Sequence, residues 1–156
     1  MKHAISMKLH VNERSHCAKF IALNEQWITE HFAIEEVDRL LAADPFKFVG
    51  DGGYLFSLEI QDCVVVVCEL FREAPDCFQL ARMAVDPDSR GNGYGRVLMD
   101  AAIVKARESG GKKIFLLSNT RLESAIALYE TSGFKVTASG QHPQYARCNI
   151  VMERIL

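Results

Sequence analysis

Apolar positions along this chain change their spacing several times, and each change marks an element. Ala4 to Val11 reads as a first strand. From Glu13 to about His31, Phe20, Ile21, Leu23, Trp27 and Ile28 supply one apolar face, the signature of an amphipathic helix. Glu35 to Ala43 predicts a second, shorter helix. It stops before Asp44-Pro45, because the residue preceding a proline is pushed out of the helical region. Gly52-Gly53 opens a strand over Tyr54 to Ile60, and the valine-rich run Cys63 to Phe71 returns beside it. Gln61-Asp62 between them has the length of a tight hairpin turn but lacks the preferred glycine. After a loop containing Pro75, Phe78 to Val85 forms the next strand, ended by Asp86-Pro87-Asp88.

The second half alternates between the two periodicities. Gly93 to Ser109 predicts a helix closed by Gly110-Gly111. Its Arg96, Asp100 and Arg107 mark a solvent face, and Val97, Leu98, Ala101 and Val104 a sheet-packing face. Lys113 to Leu117 is a strand. Leu122, Ala125, Ile126 and Tyr129 then form an i, i+3, i+4, i+7 stripe on a further helix, which Gly133 ends. Phe134 to Ala138 and Cys148 to Leu156 are the last strands.

The order β-α-α-β-β-β-α-β-α-β-β contains one strand-helix-strand unit, Phe78 to Leu117, which implies a parallel pair with a right-handed crossover. The hairpin and the late strands read as antiparallel. The expected fold class is α/β (α+β): a mixed sheet with helices on both faces, in a single domain over residues 1–156. No internal repeat, low-complexity stretch or linker interrupts it.

Composition removes several functions. At 156 residues, 49% hydrophobic and 24% charged, the chain can bury a real core. A net charge of −2 argues against a general nucleic-acid binder. Purely apolar runs such as Val64 to Val67 are far short of a membrane span, and the N-terminal residues carry no signal-peptide apolar region. The expected location is cytoplasmic. Five cysteines without a CxxC pair do not form a disulfide framework. Cys63 and Cys68, five apart in a strand, point to opposite faces, and the five histidines are scattered. No metal site is expected, and the thiols read as buried and inert.

The chemistry concentrates in Arg90-Gly91-Asn92-Gly93-Tyr94-Gly95-Arg96, between a strand end and a helix start. Glycines permit unusual backbone angles and close approach of a ligand to the main chain. The free N–H groups of a helix N-terminus favour an anion, and Arg90 and Arg96 add charge. Together they make a phosphate or pyrophosphate cradle. A dinucleotide fingerprint needs a third glycine where Arg96 stands, and a P-loop needs Gly-Lys-Ser/Thr. The plain alternative is a tight strand-to-helix turn.

Arg90-Gly91-x-Gly93-x-Gly95 resembles the pyrophosphate-binding signature of the GNAT superfamily of N-acetyltransferases. Leu80 to Pro87 resembles the strand before that signature. Asn119-Thr120-x-Leu122, Ala125 to Tyr129 and Gly133-Phe134 resemble the next block of the family. The match is dense from Phe78 to Phe134 and extends over the whole chain in element order. It implies a mostly antiparallel sheet with a splayed central parallel pair.

The resemblance also implies an acetyl-CoA cosubstrate, no metal, and direct attack by a primary amine of a small molecule or protein on the thioester. Met83 and Val85 would contribute backbone contacts to the pantetheine arm, and Arg90, Gly91, Asn92, Gly93, Tyr94, Gly95 and Arg96 the pyrophosphate cradle. A main-chain N–H near Val85 would stabilise charge on the thioester oxygen. Tyr129 matches the family's general acid for the leaving thiolate; by periodicity alone it is a packing residue. Asn119 could bond the cofactor arm or cap the following helix. Related sequences often carry a glutamate where Gln79 stands, so the general base is open among Glu69, His142 and water. Glu69 has a solvent-facing alternative, and His142 a loop position.

Trp27, His31 and Phe32 are placed as one rim of the acceptor site, Trp27 with core packing as its alternative, and Gln141 to Arg147 as the other rim. The implied partner is an amine acceptor, with neither nucleic acid nor membrane, and the chain a monomer or homodimer. A non-catalytic acyl-CoA sensor would use the same cradle, and so could another phosphate-ligand protein such as a nucleotide binder.

Overall fold

The computed structural model describes residues 5–143 and 145–156. Its strands are β1 (Met7–Val11), β2 (Tyr54–Ile60), β3 (Cys63–Ala74), β4 (Cys77–Val85), β5 (Lys113–Ser118), β6 (Lys135–Ser139) and β7 (Ile150–Ile155). Its helices are α1 (Cys17–His31), α2 (Glu36–Ala43), α3 (Lys47–Gly50), α4 (Tyr94–Glu108) and α5 (Glu123–Thr131). Ala4, the expected start of the first strand, lies outside the described residues.

The strands form one sheet in the order β1-β2-β3-β4-β5-β7-β6. All neighbours are antiparallel except β4 and β5, which run parallel across the α4 crossover. Gln61 and Asp62 make the β2–β3 turn with φ of 50° and 67°. Both central residues therefore take the left-handed conformation that a two-residue hairpin requires, without glycine.

The central strands are covered on both faces, which is why β3 reads as a continuous apolar run rather than an alternation. Val66, Cys68 and Leu70 point to one side, into a core shared with Phe56, Leu58, Phe78 and the α4 residues Leu98, Met99, Ala102 and Ala106. Val67 points to the other side and joins Leu55, Ala84 and Phe20 and Leu23 of α1.

Several elements differ from the sequence reading. The first helix begins at Cys17, after a short 3-10 turn over Arg14–His16. α3 was not foreseen, because four residues carry no periodicity. β3 runs on to Ala74, where it pairs with Cys77 around Pro75-Asp76. The packing face of α4 is rotated: Leu98, Met99, Ala102, Ile103 and Ala106 are buried, whereas Val104 is 49% exposed. Two small alanines let the helix settle close to the sheet on that side, and they outweigh one larger valine.

Candidate active site

β4 and β5 pair only over Cys77–Lys113, Phe78–Ile114 and Gln79–Phe115. Beyond Gln79 they separate. β4 bulges against β3, where its register jumps between the Val67–Ala84 and Glu69–Ala81 pairs. Arg82 sits in this bulge with φ of 54°. A bulge adds a residue and turns the strand. It bends β4 away from β5, which continues with β7 to Ser118. The gap opens into a cleft of about 930 Å³ lined by Met83 and Val85 of β4, the glycine turn, the start of α4 and the inner side of α5.

The glycine turn is held by Asp86 at its start and by Asn92 within it. The Asp86 N–H donates to the Val65 carbonyl at 2.7 Å, and the Asp86 carboxylate accepts from the Asp88 N–H at 2.9 Å. Gly91 and Gly93 have φ of 83° and 78°, the left-handed region that costs other residues about 1–2 kcal/mol. A Cβ at either would meet no protein atom within 4 Å, so conformation and the open space beyond, not packing, call for glycine there. Gly93 is the N-cap of α4, and no side chain caps that helix. Its first-turn N–H groups and positive dipole end are presented to the cleft, which suits a pyrophosphate. Arg90, Gly91, Gly93, Tyr94, Gly95 and Arg96 all line it. Asn92 does not: its side chain donates back to the Ser89 carbonyl at 2.9 Å and holds the turn. Arg90 pairs with Glu30 at 3.5 Å, and Arg96 donates to the Thr131 hydroxyl.

Tyr129 lines the same cleft from α5, its ring set edge-on 6.3 Å from Phe134. Burial, with the Cys68 and Cys148 thiols beside it, pushes its phenol up to about 12. The group is a neutral donor throughout the physiological range. Asn119 takes the second of its two expected places, holding the turn before α5. Its buried amide accepts from the Arg121 N–H at 2.9 Å and donates to the Arg147 carbonyl at 3.0 Å. Both ends are committed to the turn before α5, and the residue is not among those lining the cleft.

A second, smaller pocket adjoins the cleft and shares Trp27 and Met83 with it. Gln79, Arg82, Tyr145, Arg147 and Cys148 line this pocket. His31 lines the main cleft with Trp27, and Phe32 stacks under the Arg121 guanidinium at 4.6 Å.

Behind the pocket lies a charged network. Asp38, 4% exposed at its side chain, accepts from Arg82 at 2.7 Å, from both Arg147 terminal nitrogens at 2.7 Å, and from the Glu35 N–H at 2.8 Å. Burial alone would raise its carboxyl, but the hydrogen bonds from Arg147, Arg82 and Glu35 prevail and hold it at about 2. Glu69 is buried against Arg82 at 3.7 Å, not on a solvent face, and its Oε2 has no hydrogen-bond partner among the described residues. Burial pushes its carboxyl up to about 7, and Arg82 opposes this only in part. His142 lies in the β6–β7 loop with its ring 5.9 Å from that of Tyr145, and lines neither cavity.

Sequence reasoning did not find Arg82 or Asp38, and it placed Arg147 only as the end of the rim segment Gln141 to Arg147. Asp38 reads locally as the reciprocal partner of the Glu35 cap, which it also is. Nor did it bring His10, His16 and Glu59 together, which the β1–β2 register does. Of the thiols, Cys17, Cys68 and Cys148 are buried as expected, Cys77 partly so, and Cys63 is exposed.

The acetyltransferase (GNAT) family model matches residues 18–134. The chain belongs to that family and has the fold of its acetyltransferases. It is 37% identical over 84 residues to a UPF0039 protein of Schizosaccharomyces pombe, covering 53% of this chain and 55% of that one. The aligned segment thus spans about half the length of this curated relative. Its fold is similar to a GNAT-family acetyltransferase of Staphylococcus aureus, with a TM-score of 0.86, 20% identity, and coverage of 97% and 99% of the two chains. A PaiA N-acetyltransferase of Thermoplasma acidophilum, solved in complex with coenzyme A, superposes with a TM-score of 0.75 at 14% identity, covering 97% and 99%. Among the described residues, no helix is long and apolar enough to cross a membrane.

Proposed function

We propose that this chain transfers the acetyl group of acetyl-CoA to a primary amine of a small molecule or protein, by direct attack. The observation that carries this reading is the cleft between the splayed strands. An uncapped, glycine-lined helix N-terminus lies on it, and a neutral tyrosine forms part of its wall. Its volume, about 930 Å³, is at the upper end of those that hold cofactor-sized ligands. When bound, acetyl-CoA supplies a thioester carbonyl open to attack.

The residues divide the work by position. The α4 N-terminus and the arginines beside it hold the diphosphate. The backbone of Met83 and Val85, on the stretch of β4 where pairing with β5 has ended, holds the extended arm as an added strand. The main chain near Val85 faces the charge that develops on the thioester oxygen. Tyr129 donates its phenolic proton to the departing sulfur. The small pocket joined at Trp27 and Met83 takes the acceptor amine. Glu69, behind Arg82 and with its carboxyl pushed up to about 7 by burial, is the base that takes the ammonium proton, relayed by water.

The test is thiol release from acetyl-CoA with a panel of amines, with wild type compared to Tyr129→Phe. Turnover of the variant equal to wild type would remove Tyr129 from the chemistry. One observation favours a second reading, an acyl-CoA sensor: Gln79, where related sequences often carry glutamate, lines the small pocket without an ionisable group. Tight CoA binding with no amine acetylated supports that reading.

A further inference from the structure

Away from the cleft, β1 and β2 pair with His10 opposite Ser57 and Lys8 opposite Glu59. Ser57 and Glu59, two apart on a strand, project to one face together with His10. Leu55, a further two back, packs with α1, so this is the α1 face. His16, the last residue before α1, comes down onto the same spot. Its Nε2 lies 3.5 Å from Glu59 Oε1, and His10 Nε2 lies 3.3 Å from the same oxygen. The three ligand atoms are within 4.8 Å of one another.

We propose that His10, His16 and Glu59 bind a divalent transition-metal ion, zinc foremost. It would clamp β1 and the turn before α1 onto β2. Two imidazole nitrogens and a carboxylate oxygen are a ligand set zinc favours, with water in the fourth position. Zinc bonds of 2.0–2.1 Å to such ligands set the edge of a tetrahedron at about 3.3 Å. The two histidine–glutamate distances match that edge. His10 Nε2 is buried and makes no hydrogen bond among the described residues, although the carboxylate is close. An ion there would take the lone pair of a nitrogen whose near neighbour is the Glu59 carboxylate. His16 Nδ1 pairs with the fully buried Ser57 Oγ at 2.6 Å. That bond is the outer contact by which proteins fix the tautomer and aim of a metal-binding histidine. With the hydrogen on Nδ1, the Nε2 lone pair faces Glu59 and His10.

The site is remote from the cleft. α1 carries the site at its N-terminal end and lines the cleft near its C-terminal end, about 20 Å away by helical rise.

The experiment uses the full chain, stripped with a chelator and titrated with Zn²⁺ by calorimetry and with Co²⁺ by absorption. The expected result is one ion per chain, a tetrahedral cobalt spectrum without a thiolate charge-transfer band, and a thermal midpoint that rises with zinc concentration. Glu59→Gln weakens binding by more than about 100-fold, and Ser57→Ala by about 10-fold or more, with circular dichroism confirming the fold. Absence of saturable zinc binding by the stripped wild-type protein overturns the proposal whatever the variants do. So does a thiolate band, which would assign the ion to cysteine, or Glu59→Gln binding as wild type.

Discussion

Replacing Asp38 by asparagine tests the network behind the small pocket. The carboxylate accepts hydrogen bonds from Arg82, from both terminal nitrogens of Arg147 and from the Glu35 N–H, on two oxygens. An asparagine keeps the shape but has a single acceptor oxygen, and its NH₂ must face an arginine donor. The depression of the Asp38 carboxyl from 3.8 to about 2 is worth about 2.5 kcal/mol of stability at neutral pH. Breaking a buried ion pair costs about 3–5 kcal/mol when the partner is left unpaired. Here Arg147 keeps Glu35 at 3.0 Å and Arg82 keeps Glu69 at 3.7 Å, so the lower part of that range applies. Asp38→Asn should therefore lose about 2.5–4 kcal/mol, which lowers the urea midpoint by about 1–2 M at a typical slope. The sign with pH follows from a depressed carboxyl: the contribution is complete above 3.8 and is lost as pH falls toward 2. At pH 3 the ionisation part is about halved, so the gap between the two proteins narrows. Urea unfolding at pH 7 and at pH 3 measures both. A variant within about 0.5 kcal/mol of wild type at pH 7, or a gap that does not shrink at pH 3, refutes the assignment of Asp38 as the anchor of both arginines.

Three residues of the site give further outcomes. Tyr129→Phe should lower kcat by about 100-fold or more with little change in cofactor affinity, seen by steady-state kinetics beside calorimetry. Gly93→Val places a β-branched residue at φ of 78° and a side chain in the open space of the cradle; CoA affinity should fall by more than about 10-fold, measured by calorimetry. Glu69→Gln should remove the limb of the kcat/KM profile that rises with pH through about 7, because a base must be ionised and this carboxyl is held up by burial. The same raised carboxyl favours folding most below 4.5, and that contribution is lost as pH rises through about 7. Wild type should therefore show a loss of stability across this interval that Glu69→Gln lacks.

The parts of the fold legible in the sequence are those where local chemistry and tertiary demand agree. β2 ends where its pattern ends, at Ile60, and α4 begins where the glycine turn says it should. The cradle could be read because its glycines, arginines and helix start are contiguous. What escaped depends on register. The Arg82 bulge splays β4, and nothing local distinguishes that arginine from a charge on a strand edge. Glu69, as a charged residue, has a solvent-facing reading in the sequence, but both faces of β3 are covered, so it is buried. For Asn119 the sequence allows a cofactor contact or a cap before α5, and the contacts to Arg121 and Arg147 that place it in that turn depend on the loop before β7. His10, His16 and Glu59 meet only once β1 is laid beside β2.

The central claim is acetyl transfer from acetyl-CoA to an amine. Its most direct measurement is mass spectrometry of a primary-amine panel incubated with the protein and acetyl-CoA, with free thiol counted in parallel. The predicted result is at least one amine gaining a single acetyl group, in step with thiol released, and strongly reduced with Tyr129→Phe. Acetyl-CoA bound tightly and recovered intact, with every amine unmodified, would contradict it.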